Sequence, residues 1–110
     1  MEYSIKEIVR IIGAQANNLQ DSTISILLTD SRRLSFPEQS LFFALKTKTN
    51  DGHRYIKELY KLRVRNFVVS DMPPEFESLQ DANFLVVKDT LKALQKLAAY
   101  HRKRFNIPVI

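Results

Sequence analysis

Apolar residues along this chain recur at two periods, and each change of period marks an expected element. Ser4-Ile5-Lys6-Glu7 has the Ser-x-x-Glu spacing of a capping box, in which the two side chains satisfy free backbone N–H groups. Ile5, Ile8, Val9 and Ile12 follow at helical spacing, and Gly13 suits a left-handed stop, so a helix is predicted over Ile5 to Ile12. Asn17 to Thr23 reads as loop. Ile24 to Thr29 and Leu41 to Leu45 are continuous apolar runs, the pattern of strands covered on both faces. Lys46 to Asn50 is a polar loop. Asp51 is the expected N-cap of a helix over His53 to Arg65, with Tyr55, Ile56, Leu59 and Leu62 as its buried stripe.

The second half repeats the scheme. Asn66 to Ser70 is a third strand, ended by Asp71-Met72-Pro73-Pro74, which cannot continue a ladder. Phe76 to Leu79 suits a helical turn, and Asn83 to Val87 a fourth strand. Asp89 caps a last helix, Thr90 to Phe105, with Leu91, Leu94, Leu97 and Ala98 inward, and Asn106 breaks it. Strands alternating with helices predict a single layered α/β domain, a small mixed sheet flanked by helices. Ile107-Pro108-Val109-Ile110 reads as the opening of a further strand, so residues 1–110 are expected to be one domain of a longer protein.

Composition narrows the function classes. A chain of 110 residues can bury a real core, and without cysteine it has neither disulfides nor thiolate chemistry. The start, MEYSIKEIVR, carries charges within its apolar pattern and resembles no signal peptide; no apolar run approaches the roughly 18 residues of a membrane span. The expected compartment is the cytoplasm, with no membrane partner. Seventeen Lys and Arg against twelve Asp and Glu give a formal charge of +5, compatible with an anionic ligand or with a solvated surface.

Catalytic patterns are missing. Two histidines, His53 and His101, make no zinc spacing, and there is neither a Gly-x-Ser-x-Gly elbow nor a glycine-rich phosphate loop. Binding has more support. Asp30-Ser31-Arg32 stands where a strand ends, the place ligands favour in open α/β sheets, and a hydroxyl beside a guanidinium suits phosphate or carbonyl oxygens. Equally, Asp30 could cap local N–H groups while Arg32 pairs with an acid. If the first two strands are neighbours, the loop Lys46-Thr47-Lys48-Thr49-Asn50 shares that sheet end. Arg54, Lys57, Lys61 and Arg65 form a basic stripe, and His101 to Arg104 a basic last turn, but no recognition helix or open aromatic face accompanies them. A nucleic-acid partner is therefore disfavoured.

The stretch TDSRRLSFPEQSLFFALKTKTNDGHRYI, Thr29 to Ile56, resembles the N-terminal domain of the Mur ligases, with Asp-Ser-Arg, a proline-bearing link, Leu-Phe-Phe-Ala-Leu, a polar loop and Asp-Gly-His in the family's order. LAAYHRKRFNIPVI, Leu97 to Ile110, resembles the stretch before that family's ATP phosphate loop. Three places depart from the pattern: Glu38 where a glycine usually follows the proline, Thr47, and Val64-Arg65-Asn66 before the third strand.

The resemblance implies a UDP-substrate-recognition domain whose ATP-binding central and C-terminal domains lie outside residues 1–110. Within the family, the Ala-Leu-Lys and His-Arg-Lys-Arg-Phe segments look most like the branch that joins UDP-N-acetylmuramoyl-tripeptide to D-alanyl-D-alanine with ATP and Mg2+. Some members of that branch carry a fused alanine racemase. The alternatives are the tripeptide-forming Mur ligase and a non-enzymatic basic α/β nucleic-acid module. The resemblance places Ser31, Arg32, Thr47, Lys48, Thr49 and Asn50 at the UDP moiety. It gives Asp30, Asp51 and His53 a supporting role in the loops, and it implies no catalytic residue, metal or cofactor within this stretch.

Overall fold

The computed structural model describes residues 2–16, 19–29, 36–49, 51–72, 76–79 and 81–105. In chain order these form β1 (Tyr3–Ser4), α1 (Ile5–Ile12), β2 (Thr23–Ile24), β3 (Ile26–Leu28), β4 (Ser40–Phe43), α2 (Ile56–Lys61), β5 (Asn66–Val69), β6 (Asn83–Val86) and α3 (Thr90–Phe105). Short 3-10 turns at Pro37–Gln39, Gly52–Tyr55 and Phe76–Leu79 link them. The main sheet has the order β3-β4-β5-β6 and all its pairs are parallel. Antiparallel pairing among the described residues is confined to the β1–β2 ribbon and to two isolated bridges, Gln15 with Val86 and Lys46 with Asp51.

Side chains alternate across the sheet and build a core on each face. Leu41, Phe43, Val68 and Leu85 meet α1 and α3 through Ile5, Ile8, Ala93 and Leu97. Phe42, Ala44, Phe67 and Val69 meet α2 through Ile56 and Leu59. This two-sided burial is why β4 and β5 read as unbroken apolar runs. Phe42, Phe67 and Phe84 occupy one register row, with ring centroids 6.3 Å and 5.4 Å apart, so a band of rings crosses three strands.

Several expected boundaries move for local reasons. The strand expected over Ile24 to Thr29 is two strands in different sheets. Ser25 separates them: its N–H donates to the Gln39 carbonyl at 3.0 Å and its hydroxyl to Gln39 Oε1 at 2.8 Å. The helix expected to reach Arg65 stops at Lys61, because Arg63 takes a left-handed turn at φ 77°. Leu62 is consequently exposed and Val64 takes the buried place. Arg65 leaves the basic stripe for the same reason: its Nε donates to Asp81 at 3.1 Å while its guanidinium lies 4.0 Å from the Tyr60 ring centre. In α3 Leu91 faces solvent and Ala93 is buried instead. By contrast α1 keeps its expected bounds: Ser4 Oγ accepts from Glu7 N and Gly13 sits at φ 66°. The Ile107 to Ile110 strand falls outside the described residues.

One polar pair pins the amino edge of the sheet. Asn66 and Asn83 stand opposite each other in the β5–β6 register and are both buried. Asn83 Nδ2 donates to Asn66 Oδ1 at 2.8 Å and to the Gln20 carbonyl at 3.0 Å, while its Oδ1 accepts from Gln20 N at 2.7 Å. Asn66 Nδ2 reaches Ser22 Oγ at 3.0 Å. The segment entering β2 is thus held by amide groups that act as extra backbone. Asn83→Ala would leave the Gln20 N–H and carbonyl unpaired, so we expect a loss of about 1–3 kcal/mol in urea unfolding with an unchanged slope.

Candidate functional site

Because β3 and β4 are adjacent and parallel, their following loops leave the same carboxyl edge, joined there by the ends of β5 and β6. Asp30, Ser31, Arg32 and Asn50 lie outside the described residues. The strand that leads toward the first three ends at Leu28, on that edge. Thr47, Lys48 and Thr49 are exposed in the loop after β4.

The base of this loop is tightly built. Lys46 and Asp51 pair across it in an antiparallel bridge, and Gly52 N donates to the Leu45 carbonyl at 2.7 Å. A Cβ on Gly52 would lie 2.8 Å from Leu45 N and 3.0 Å from Ala44 Cα, so the Asp-Gly-His step needs a glycine for close backbone approach. Ala44 is held in turn: its N–H donates to the Val68 carbonyl at 2.9 Å, and its own carbonyl accepts from Thr90 Oγ1 at 2.9 Å. Asp89 caps α3 beside it, accepting from Leu91 N at 3.0 Å and Lys92 N at 3.1 Å.

Asp51 caps the turn as expected, accepting from His53 N at 3.0 Å. The same carboxylate oxygen lies 2.6 Å from His53 Nδ1. The backbone N–H of His53 holds the Asp51 carboxyl below the usual carboxylate range, against an opposing effect of burial and with help from the imidazole and Lys46. His53 Nε2 accepts from Ser70 N at 3.0 Å, at the end of the neighbouring strand. Ser70, Gly52 and Thr90 were not among the residues expected at the site. Their roles depend on which strands are neighbours, and Gly52 alone carried a local signal, as the middle of Asp-Gly-His.

Chemically, this edge offers ammonium and hydroxyl donors on a fixed base. Among the described residues no group of three or more His, Cys, Asp or Glu could hold a metal ion. No described helix is long and apolar enough to cross a membrane. An open cleft of about 390 Å3 occupies the opposite, amino edge, lined by Gln20, Ser22, Gln39, Arg65, Asp81 and Asn83; it is separate from the loops described above.

No family model matches the chain. It is 39% identical over 94 residues to a UDP-N-acetylmuramoyl-tripeptide–D-alanyl-D-alanine ligase from Synechocystis, a match covering 86% of this chain and 20% of the relative. It is 30% identical over 79 residues to a UDP-N-acetylmuramoyl-L-alanyl-D-glutamate–2,6-diaminopimelate ligase from Cytophaga hutchinsonii, covering 72% of this chain and 16% of the relative. The chain thus spans a fifth or less of the curated relatives it matches. Among solved structures, a UDP-N-acetylmuramoylalanyl-D-glutamyl-2,6-diaminopimelate–D-alanyl-D-alanyl ligase from Acinetobacter baumannii superposes with a TM-score of 0.80 at 24% identity, over 94% of this chain and 22% of that one. A second structure, of MurF from the same organism, gives 0.80 at 23%. These superpositions establish the fold.

Two outcomes test the loop base. Gly52→Ala forces a methyl against backbone that cannot yield, so urea unfolding should show a loss of about 1–3 kcal/mol. For Asp51 the folded-state pKa is depressed below the ordinary 3.8. Its contribution is therefore complete above that value and is lost as pH falls through the folded one. Stability measured at pH 7 and pH 3 should differ less in Asp51→Asn than in the wild type.

Proposed function

We propose that this chain, a Mur-ligase N-terminal domain by sequence and fold, is the part of an ATP-dependent peptidoglycan-precursor ligase that grips the UDP end of a UDP-N-acetylmuramoyl peptide. The observation that carries this reading is the shared carboxyl edge: the β3 and β4 exits are neighbours, and the second is a rigidly based loop bearing Thr47, Lys48 and Thr49. Contacts to the nucleotide come from Ser31, Arg32, Thr47, Lys48, Thr49 and Asn50, while Asp30, Asp51 and His53 shape the loops. The higher identity to the D-alanyl-D-alanine-adding relative favours that branch over the diaminopimelate-adding one. The parent is a cytoplasmic enzyme in this reading, and residues 1–110 supply no catalytic group.

ATP and Mg2+ do not fit here. The sequence has no glycine-rich phosphate loop, and the described residues hold no metal cluster. Both are assigned to further domains of the parent. What this domain supplies is orientation. The nucleotide is a handle remote from the reacting peptide carboxylate, and fixing it lowers the entropic part of the barrier to amide-bond formation with D-alanyl-D-alanine.

A two-dimensional NMR titration with UDP, with ATP as control, tests the reading. Shifts should cluster at 29–33 and 46–53, with UDP preferred; equal response to ATP, or shifts confined to the amino-edge cleft, would reject it. In the full-length parent, Ser31→Ala should raise the KM for the UDP substrate more than it lowers kcat, and unchanged kinetics would remove Ser31 from the site.

A further inference from the structure

His53 does more than donate its backbone N–H to the Asp51 cap. Its imidazole is only 15% exposed and lies between two loops that leave neighbouring strands. On one side Nδ1 meets Asp51 Oδ1 at 2.6 Å. On the other, Nε2 is approached by Ser70 N at 3.0 Å, with Asp71 N and Ser70 Oγ each at 3.4 Å. A backbone N–H can only donate, so Nε2 must present its lone pair, and the single proton of the neutral ring belongs on Nδ1, facing the carboxylate. The tautomer is set from both sides. Asp51 pairs with Lys46 across the loop, whereas Ser70 follows β5 directly, so the ring joins the base of the 46–50 loop to the next strand.

We propose that His53 and Ser70 form a tautomer-locked clamp that sets the pose of the 46–50 loop for its ligand, which makes both of them positioning residues. The ligand in this inference, a uridine diphosphate group, rests on the reading given above. The clamp itself rests on geometry alone. It extends the site to a third strand end, since the loop contacts nucleotide directly while Ser70 acts only through the ring.

The experiment uses the two halves of the clamp separately. His53→Asn keeps an amide N–H where Nδ1 stands, able to donate to Asp51, but leaves the Ser70 N–H without an acceptor. His53→Gln reaches to where Nε2 stands and gives that N–H a carbonyl. Long-range 1H–15N spectra of the wild type at neutral pH should show the Nδ1–H ring. In H53N the Ser70 amide should exchange roughly tenfold faster and UDP affinity should fall roughly three- to tenfold, the span one hydrogen bond is worth. H53Q should restore most of both.

An Nε2–H ring in the wild type overturns the clamp, and that observation needs no variant to fold. Wild-type UDP affinity in H53N overturns it as well, with the nucleotide reading intact. If wild-type protein has the Nδ1–H ring and a protected Ser70 amide but shows no UDP shifts, the nucleotide reading fails instead, and with it the ligand named here.

Discussion

The parallel pairing of β4 with β5 is the constraint on which the rest of this domain depends. Ser40 to Phe43 and Asn66 to Val69 are buried throughout, so neither strand can slip by one residue without exchanging the side chains that face its two helix layers. That fixed register puts Phe42 beside Phe67 and ends both strands at one level. The loop after β4 and the Ser70 turn after β5 can then share one imidazole. Were β4 antiparallel to β5, Asp51 and Ser70 would leave opposite edges and His53 could serve only one of them.

Much of the fold was legible in the sequence because its signals are local. The Ser4 cap and Gly13 stop bracket α1, and Asp89 starts α3 where it was expected. The failures come from tertiary competition. Ile24 to Thr29 reads as one strand, yet Ser25 is drawn to Gln39, 14 residues away, and the chain changes sheets there. Leu62 continues the helical stripe of α2, but the left-handed Arg63 ends the helix so that Val64 can enter the core. Leu91 fits the α3 stripe on paper, whereas the small Ala93 is what fits against the sheet.

At the site the division is similar. Asp51 as a cap follows from its place before the helix, whereas the need for glycine at Gly52 comes from the backbone of Ala44 and Leu45 packed against it. The partner of His53 does not, since Ser70 lies 17 residues on and meets the ring only once the strand order is known. The same holds for Thr90, whose hydroxyl finds the Ala44 carbonyl across 46 residues. Residues that touch ligand in the proposed reading carry ordinary polar side chains, and nothing local separates them from a solvated loop. Their support comes from order and spacing along the chain, and from a backbone that brings neighbouring strand exits together.

The amino-terminal helix has a consequence for the order of assembly. Ile5 and Ile8 are buried in the cluster that also contains Leu85, Ala93 and Leu97, and Tyr3 hydrogen-bonds His101 across 98 residues of chain. On the ribosome α1 therefore emerges early and waits for most of the domain to be made before its apolar face has a partner. During that interval it is an amphipathic segment open to chaperones or to wrong contacts. At eight residues α1 is too short to hold a helix unaided, so its cap and stop take full effect only once that face is covered.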